Sequence, residues 1–135
     1  MKILVDTNVV LDVLLDRAPW ADDASQIWRA CETGRLHGCV PGSALTTIFY
    51  VARRMTTLRT AQVAVGLCLA TFDVLPVDRA ALEHATMLAG SDFEDNVQLA
   101  CALAAGMDAI VTRNGSDFRD SPVLLLTPAE LVAQL

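Results

Sequence analysis

The sequence predicts a three-layer α/β/α fold built on a short, parallel, five-stranded sheet. Three observations predict it. The β-type runs are short and nearly all apolar, as strands covered on both faces are; stretches of helical spacing separate them; and the runs end abruptly in polar, helix-capping residues. Taken in order, Lys2 to Val5 is the first such run, and Asp6-Thr7-Asn8 closes it and leads into a helix from about Val9 to Leu15. Pro19 breaks that helix. A second, from about Trp20 to Thr33, carries Ala24, Ile27, Trp28 and Cys31 at helical spacing and stops at Gly34. His37 to Val40 is the second strand, and Pro41-Gly42-Ser43 opens a helix through about Met55, followed by another from about Thr60 to Ala70. Phe72 to Val77 is the third strand, before a helix capped at Asp78 that ends near Gly90. Ser91 to Asp95 leads into a helix to about Ala105, which Gly106 closes. Ala109 to Thr112 is the fourth strand and Val123 to Leu126 the fifth, with RNGSDFRDSP between them; Thr127-Pro128 caps a last helix.

No linker, repeat or charge block interrupts the chain, so residues 1–135 read as a single domain. An apolar share of 53% supplies a real core and excludes collagen-like, disordered and disulfide-scaffold classes. The formal charge of −6 argues against sequence-independent coating of nucleic acid, which needs a surplus of Lys and Arg to release counterions from phosphate. Within that charge, 12 Asp stand against 4 Glu and 9 Arg against the single Lys2. Codon bias covers such a skew in amount but does not choose where the Asp residues fall. The cysteines at 31, 39, 68 and 101 form no CxxC and no His stands at ligand spacing, so reduced buried thiols are expected and a zinc site is not. MKILVDTN lacks the apolar core of a signal peptide, and the longest apolar run, Val63 to Phe72, is about half a membrane span. A cytoplasmic protein with no membrane partner is expected.

In open parallel sheets ligands collect at the carboxyl ends of the strands. Asp6 directly follows the first strand, and Asn114 and Asp117 follow the fourth. Asp95 begins a helix that runs antiparallel to the strands, so it reaches the same rim. Taken singly, each has a plainer reading: Asp6 as a helix N-cap, Asp95 as an acid favoured by the helix dipole, Asp117 as a turn residue. Taken together, three separate stretches bring carboxylates to one edge. Carboxylates so placed raise one another's pKa unless a cation sits among them, and Mg²⁺ or Mn²⁺ is the hard ion that oxygen ligands suit. Such an ion polarises phosphoryl oxygens and activates water, so metal-dependent phosphodiester cleavage is the expected chemistry.

The opening ILVDTNVVLD, the segment DFEDNVQLACALAAG and the segment AIVTRNGSDF resemble the three motif regions of PIN-domain ribonucleases, including VapC-type toxins. The likeness spans nearly the whole chain in the right order. It implies Mg²⁺- or Mn²⁺-dependent RNA cleavage by an acidic cluster, commonly in homodimers, with an antitoxin partner in the toxin members. Carried over by position, Asp6, Asp95 and Asp117 match the catalytic, metal-binding acids. Asn8 is the small polar neighbour of the first, and Thr112 or Asn114 would hold water or phosphate. Asp92 and Glu94 flank the site in supporting roles, with Asp92 the more relevant of the two.

One departure stands out. The family usually places a Glu on the helix after the second strand, and here the stretch reads Ser43-Ala44-Leu45-Thr46-Thr47-Ile48, with Thr46 or Thr47 in the slot. A catalytically weakened PIN-like module that binds protein or RNA is therefore the alternative to an active nuclease. Arg53, Arg54 and Arg59 are the one basic cluster, readable as a solvated helix end or, with Arg113, as a hold on the RNA backbone. Trp20 and Trp28 read as core or interface anchors. A phosphatase of the haloacid dehalogenase type would need a second Asp where Asn8 stands and a Lys other than Lys2; a receiver domain fails for want of the acidic pair and the Lys.

Overall fold

The computed structural model describes residues 1–135. In chain order the elements are β1 (Lys2–Val5), α1 (Thr7–Leu14), α2 (Ala21–Glu32), β2 (His37–Pro41), α3 (Gly42–Met55), α4 (Leu58–Thr71), β3 (Asp73–Leu75), α5 (Arg79–Thr86), α6 (Phe93–Ala105), β4 (Ala109–Val111), β5 (Leu124–Leu126) and α7 (Pro128–Val132), with a short 3₁₀ turn at Gly115–Asp117. The five strands are all parallel in the order β3-β2-β1-β4-β5, so the expected three-layer α/β/α architecture is present.

The pleat divides the apolar residues into two cores. Ile3, Val5, Val40, Ala109, Val111 and Leu126 face α1, α2, α3, α4 and α7, while Leu4, Cys39 and Ile110 face α5 and α6. Strands this short are stable because both faces are covered. On the larger side Trp28 meets Phe72 edge to face at 4.9 Å, and its indole N–H donates to Glu32 at 2.9 Å. Trp20, read from sequence as the start of the second helix, instead is the N-cap of α2 and is exposed. All four cysteines are free and buried, and no helix is long and apolar enough to cross a membrane.

Element boundaries differ from the sequence reading where side-chain chemistry intervenes. Helix α1 starts at Thr7 rather than Val9, because Asp6 is already its N-cap: the Asp6 carbonyl accepts from the amides of Val9 at 2.9 Å and Val10 at 3.3 Å. Strand β3 stops at Leu75, since Pro76 has no N–H to give the ladder. Helix α5 ends at Thr86, and a turn leads to α6 through Gly90. There a Cβ would lie 2.4 Å from Asn96 Oδ1, while Asn96 Nδ2 donates to the Gly90 carbonyl at 2.9 Å. Glycine is needed at that position for the turn and the helix to close on each other.

The chain moves from β1 outward to β2 and β3, then returns to the other side of β1 as β4. The reversal falls between β1 and β4, and the carboxyl ends of the strands at such a point are the usual ligand position in open parallel sheets.

Candidate active site at the carboxyl ends of β1 and β4

Asp6 extends β1 at this edge, its amide donating to the Val111 carbonyl of β4 at 3.0 Å. Its backbone caps α1, but its side chain makes no capping hydrogen bond. The carboxylate turns instead toward β4 and α6, where Oδ2 accepts from Thr112 Oγ1 at 2.8 Å and Oδ1 from Gln98 Nε2 at 3.0 Å. Asp6 is 7% exposed and has no cationic partner. A capping role alone does not account for this geometry. A carboxylate removed from water and held by neutral donors is a costly arrangement.

Asp95 stands in the first turn of α6, whose N-cap is Asp92: the Asp92 carboxylate accepts from the Asp95 amide at 3.1 Å. Gln98 Nε2 reaches Asp95 Oδ1 at 3.4 Å as well as Asp6, so one amide spans the two acids. Burial, and then the charges of Asp6, Asp92, Asp117 and Glu94, push the Asp95 carboxyl up to about 7. Burial, with repulsion added to it, outweighs the favourable helix dipole. Because the folded-state value lies above the unfolded one, the folded chain binds more protons over this interval and stability falls as pH rises from about 4 to about 7. Thermal melting in EDTA should therefore drop across that range, and less steeply in Asp95→Asn; equal slopes in the two proteins would contradict the coupling.

Glu94 is half-buried. Burial raises its carboxyl, as do Asp92 and Asp6, while hydrogen bonding from Thr7 and Thr47 acts the other way; Thr7 Oγ1 donates to Oε1 at 3.2 Å. Of the two threonines in the stretch where an acid was expected, Thr46 bonds back to the Ser43 carbonyl at 2.8 Å, and Thr47 is the one beside the acids. Glu94 thus brings a carboxylate to the place opposite α3 that lacks one. The sequence reading ranked it below Asp92, whose side chain is occupied in capping.

The remaining positions divide. Asp117, in the 3₁₀ turn, is exposed and close enough to raise Asp95. Thr112 is buried, and its hydroxyl both donates to Asp6 and accepts from the Asn114 amide at 3.1 Å, so it orients Asp6 and has no donor left for water or phosphate. The Asn114 side chain is exposed at the rim. Arg113 is held inward: its guanidinium lies 3.8 Å from the Trp20 ring centre, Nη2 donates to Asp12 Oδ1 at 3.2 Å, and Nε is 2.8 Å from Oδ2, close but off the line of a hydrogen bond. The fully buried Asp12 also takes Arg17 Nε at 2.8 Å, and Arg17 Nη2 donates to the Asn8 carbonyl at 3.2 Å. Arg53 is exposed in the last turn of α3, about 16 Å along the helix from its start at the rim, and is not brought to the acids. Sequence reading missed Gln98 and Asp12. Spacing was the available signal for Gln98, three residues after Asp95 on one helix face; for Asp12 it was an acid inside the apolar run Val9 to Leu15.

Compared with known proteins, the chain matches the family model of the PIN domain over residues 2–116. None of the curated proteins compared matches it in sequence. Among solved structures it is similar to VapBC2 from Rickettsia felis bound to a DNA fragment from their promoter, at 13% identity and a TM-score of 0.74, with 94% of this chain and 98% of that chain covered. It is similar also to DNA-bound VapBC from Salmonella typhimurium, at 16% identity and 0.74 over 95% and 98% of the two chains. VapC20 from Mycobacterium tuberculosis, a sarcin–ricin-loop-cleaving toxin, gives 16% and 0.67 over 80% and 86%. At these identities the likeness is one of fold.

Proposed function

The chain belongs to the PIN-domain family, and from that premise we propose that it is a divalent-metal-dependent endoribonuclease, the toxin of a toxin–antitoxin pair. The observation that carries this reading is the Asp6 carboxylate, buried without a cation, turned away from its cap and held beside Asp95. The donor set suits Mg²⁺ or Mn²⁺, since it is all carboxylate oxygen and its members repel one another in the absence of a cation. No three of these carboxylates place oxygens all within 4.8 Å of one another, so an ion here would be held directly by some of them and through its retained waters by the others. Asp6, Asp95 and Asp117 would hold the ion, with Glu94 as the fourth acid in place of the missing Glu.

When bound, the ion supplies positive charge for the phosphoryl oxygens and makes a water a better nucleophile. The chain's own part is positional. Thr112 and Gln98 fix both oxygens of Asp6, Gln98 ties Asp6 to Asp95, and Asp92 fixes the turn from which Asp95 and Glu94 project. Asn114, exposed beside Thr112, would be the group that meets an RNA phosphate. Cleavage of a structured RNA should require Mg²⁺ or Mn²⁺ and stop in EDTA; undiminished cleavage in EDTA would overturn the reading. If Glu94 is the fourth acid, Glu94→Gln should weaken Mn²⁺ binding by roughly tenfold or more in calorimetric titration, whereas an affinity equal to wild type would return it to a supporting role.

An antitoxin and a second copy of this chain are the proposed protein partners. Helices α3 and α4 carry the surface that suits them: Tyr50, Met55, Leu58, Val63, Leu67 and Leu69 are exposed. A groove of about 380 Å³ lies between the helices, lined mainly by Leu45, Phe49, Tyr50 and Val65. An exposed apolar surface of this kind is where such a partner would dock.

A further inference from the structure

We propose that His37, Cys39 and Asp73 form a second metal site, for a borderline divalent ion such as Zn²⁺, at the edge of the sheet opposite the carboxylate rim. His37 is the first residue of β2 and Asp73 the first of β3, so both lie where the strands begin rather than where they end. Alternation along β2 puts His37 and Cys39 on the same face, and the register pairs Cys39 directly with Asp73. A His nitrogen, the Cys39 sulfur and an Asp73 oxygen all lie within 4.8 Å of one another. The sequence pattern concealed this, because the third donor comes from 36 residues away from His37.

The donor chemistry differs from that of the rim. One imidazole, one thiolate and one carboxylate are the mixed N, S and O set that Zn²⁺ accepts, with a fourth tetrahedral place left for water. Hard Mg²⁺ has no preference for the sulfur. Thiolate and carboxylate together offset the charge of the ion. Lys2, opposite His37 in the register, opposes it in part. The arrangement is also accessible: the His37 and Asp73 side chains are 47% and 70% exposed, while Cys39 is buried beneath them. His37 Nε2 and Asp73 Oδ2 are in direct contact, a pair that an entering ion would bridge. Cys31 is not a member, since Gly38 turns to the other face of the strand, where a Cβ would come within 2.6 Å of the Cys31 sulfur. A bound ion would clamp the edge strand β3 onto β2, a ladder of only three residue pairs.

The proposal does not depend on nuclease activity. Its test is Co²⁺ titration of the chelator-treated full chain with Mg²⁺ in excess, followed by thiolate-to-cobalt charge-transfer absorption in the near ultraviolet, with Zn²⁺ then added as competitor. The band should saturate at one equivalent and be abolished by Zn²⁺. It should vanish in Cys39→Ser, weaken about tenfold or more in His37→Ala and Asp73→Asn, and persist in Asp6→Asn and Cys31→Ser. The His37 and Asp73 variants alter exposed side chains, so they report on the site even if Cys39→Ser disturbs packing. Absence of the band in wild type, its survival in Cys39→Ser with undisturbed fold, or its loss in Cys31→Ser would overturn the assignment.

Discussion

Asp6→Asn should abolish metal-dependent RNA cleavage, a loss of about a thousandfold or more if the residue supplies electrostatic stabilisation on the scale of a single essential oxyanion-stabilising group. The amide occupies nearly the same volume and still accepts from Thr112 or Gln98, so the fold should persist. What goes is the negative charge at the rim. The coupling to Asp95 makes this visible without substrate. Asp6 is the first-ranked charge raising the Asp95 carboxyl after burial, so its neutralisation should move that group back toward its ordinary value. Calorimetric titration with Mn²⁺ should show strong weakening or loss of binding at the rim. A variant that cleaves at the wild-type rate and binds Mn²⁺ as tightly would remove Asp6 from the reaction.

The largest effect on stability is expected from Asp12→Asn. Asp12 is fully buried and receives Arg17 from one side and Arg113 from the other. Neutralising it leaves two partly buried guanidinium groups without their counter-charge, a change of about 3–5 kcal/mol by comparison with broken buried pairs. The melting temperature should fall by roughly 10 °C or more, and the urea midpoint should drop with little change in slope. Pairing it with Arg113→Gln should recover part of the loss, because the neighbouring charge goes too. Equal midpoints for wild type and Asp12→Asn would show that the network contributes little.

Much of this was legible in the sequence, for identifiable reasons. Short all-apolar runs report a sheet covered on both faces, and their order with intervening helices left few topologies. Asp6, Asp95 and Asp117 could be proposed because each sits at an element boundary on one edge. The side chain of Glu94 meets Thr7 and Thr47 on α1 and α3, and such a meeting across elements leaves no trace in local spacing. Arg113 was readable as a hold on the RNA backbone, but its side chain is drawn to Asp12 and Trp20, which lie 101 and 93 residues away in the chain. Charge type can be read from a sequence; whether a charge faces solvent or a buried partner depends on the assembled fold. The His37, Cys39 and Asp73 group was missed on the same ground.

The hydrogen bond from Thr112 to Asp6 joins residues 106 positions apart. During synthesis Asp6 emerges from the ribosome before its partners, Gln98 on α6 and Thr112 after β4, which follow 92 and 106 residues later. Until β4 docks beside β1, Asp6 is a solitary carboxylate on an incomplete sheet. A nascent or truncated chain ending before β4 thus carries Asp6 without Thr112, the residue that orients its carboxylate. If the rim is the proposed nuclease site, this order of assembly defers its activity until β4 has been made and docked.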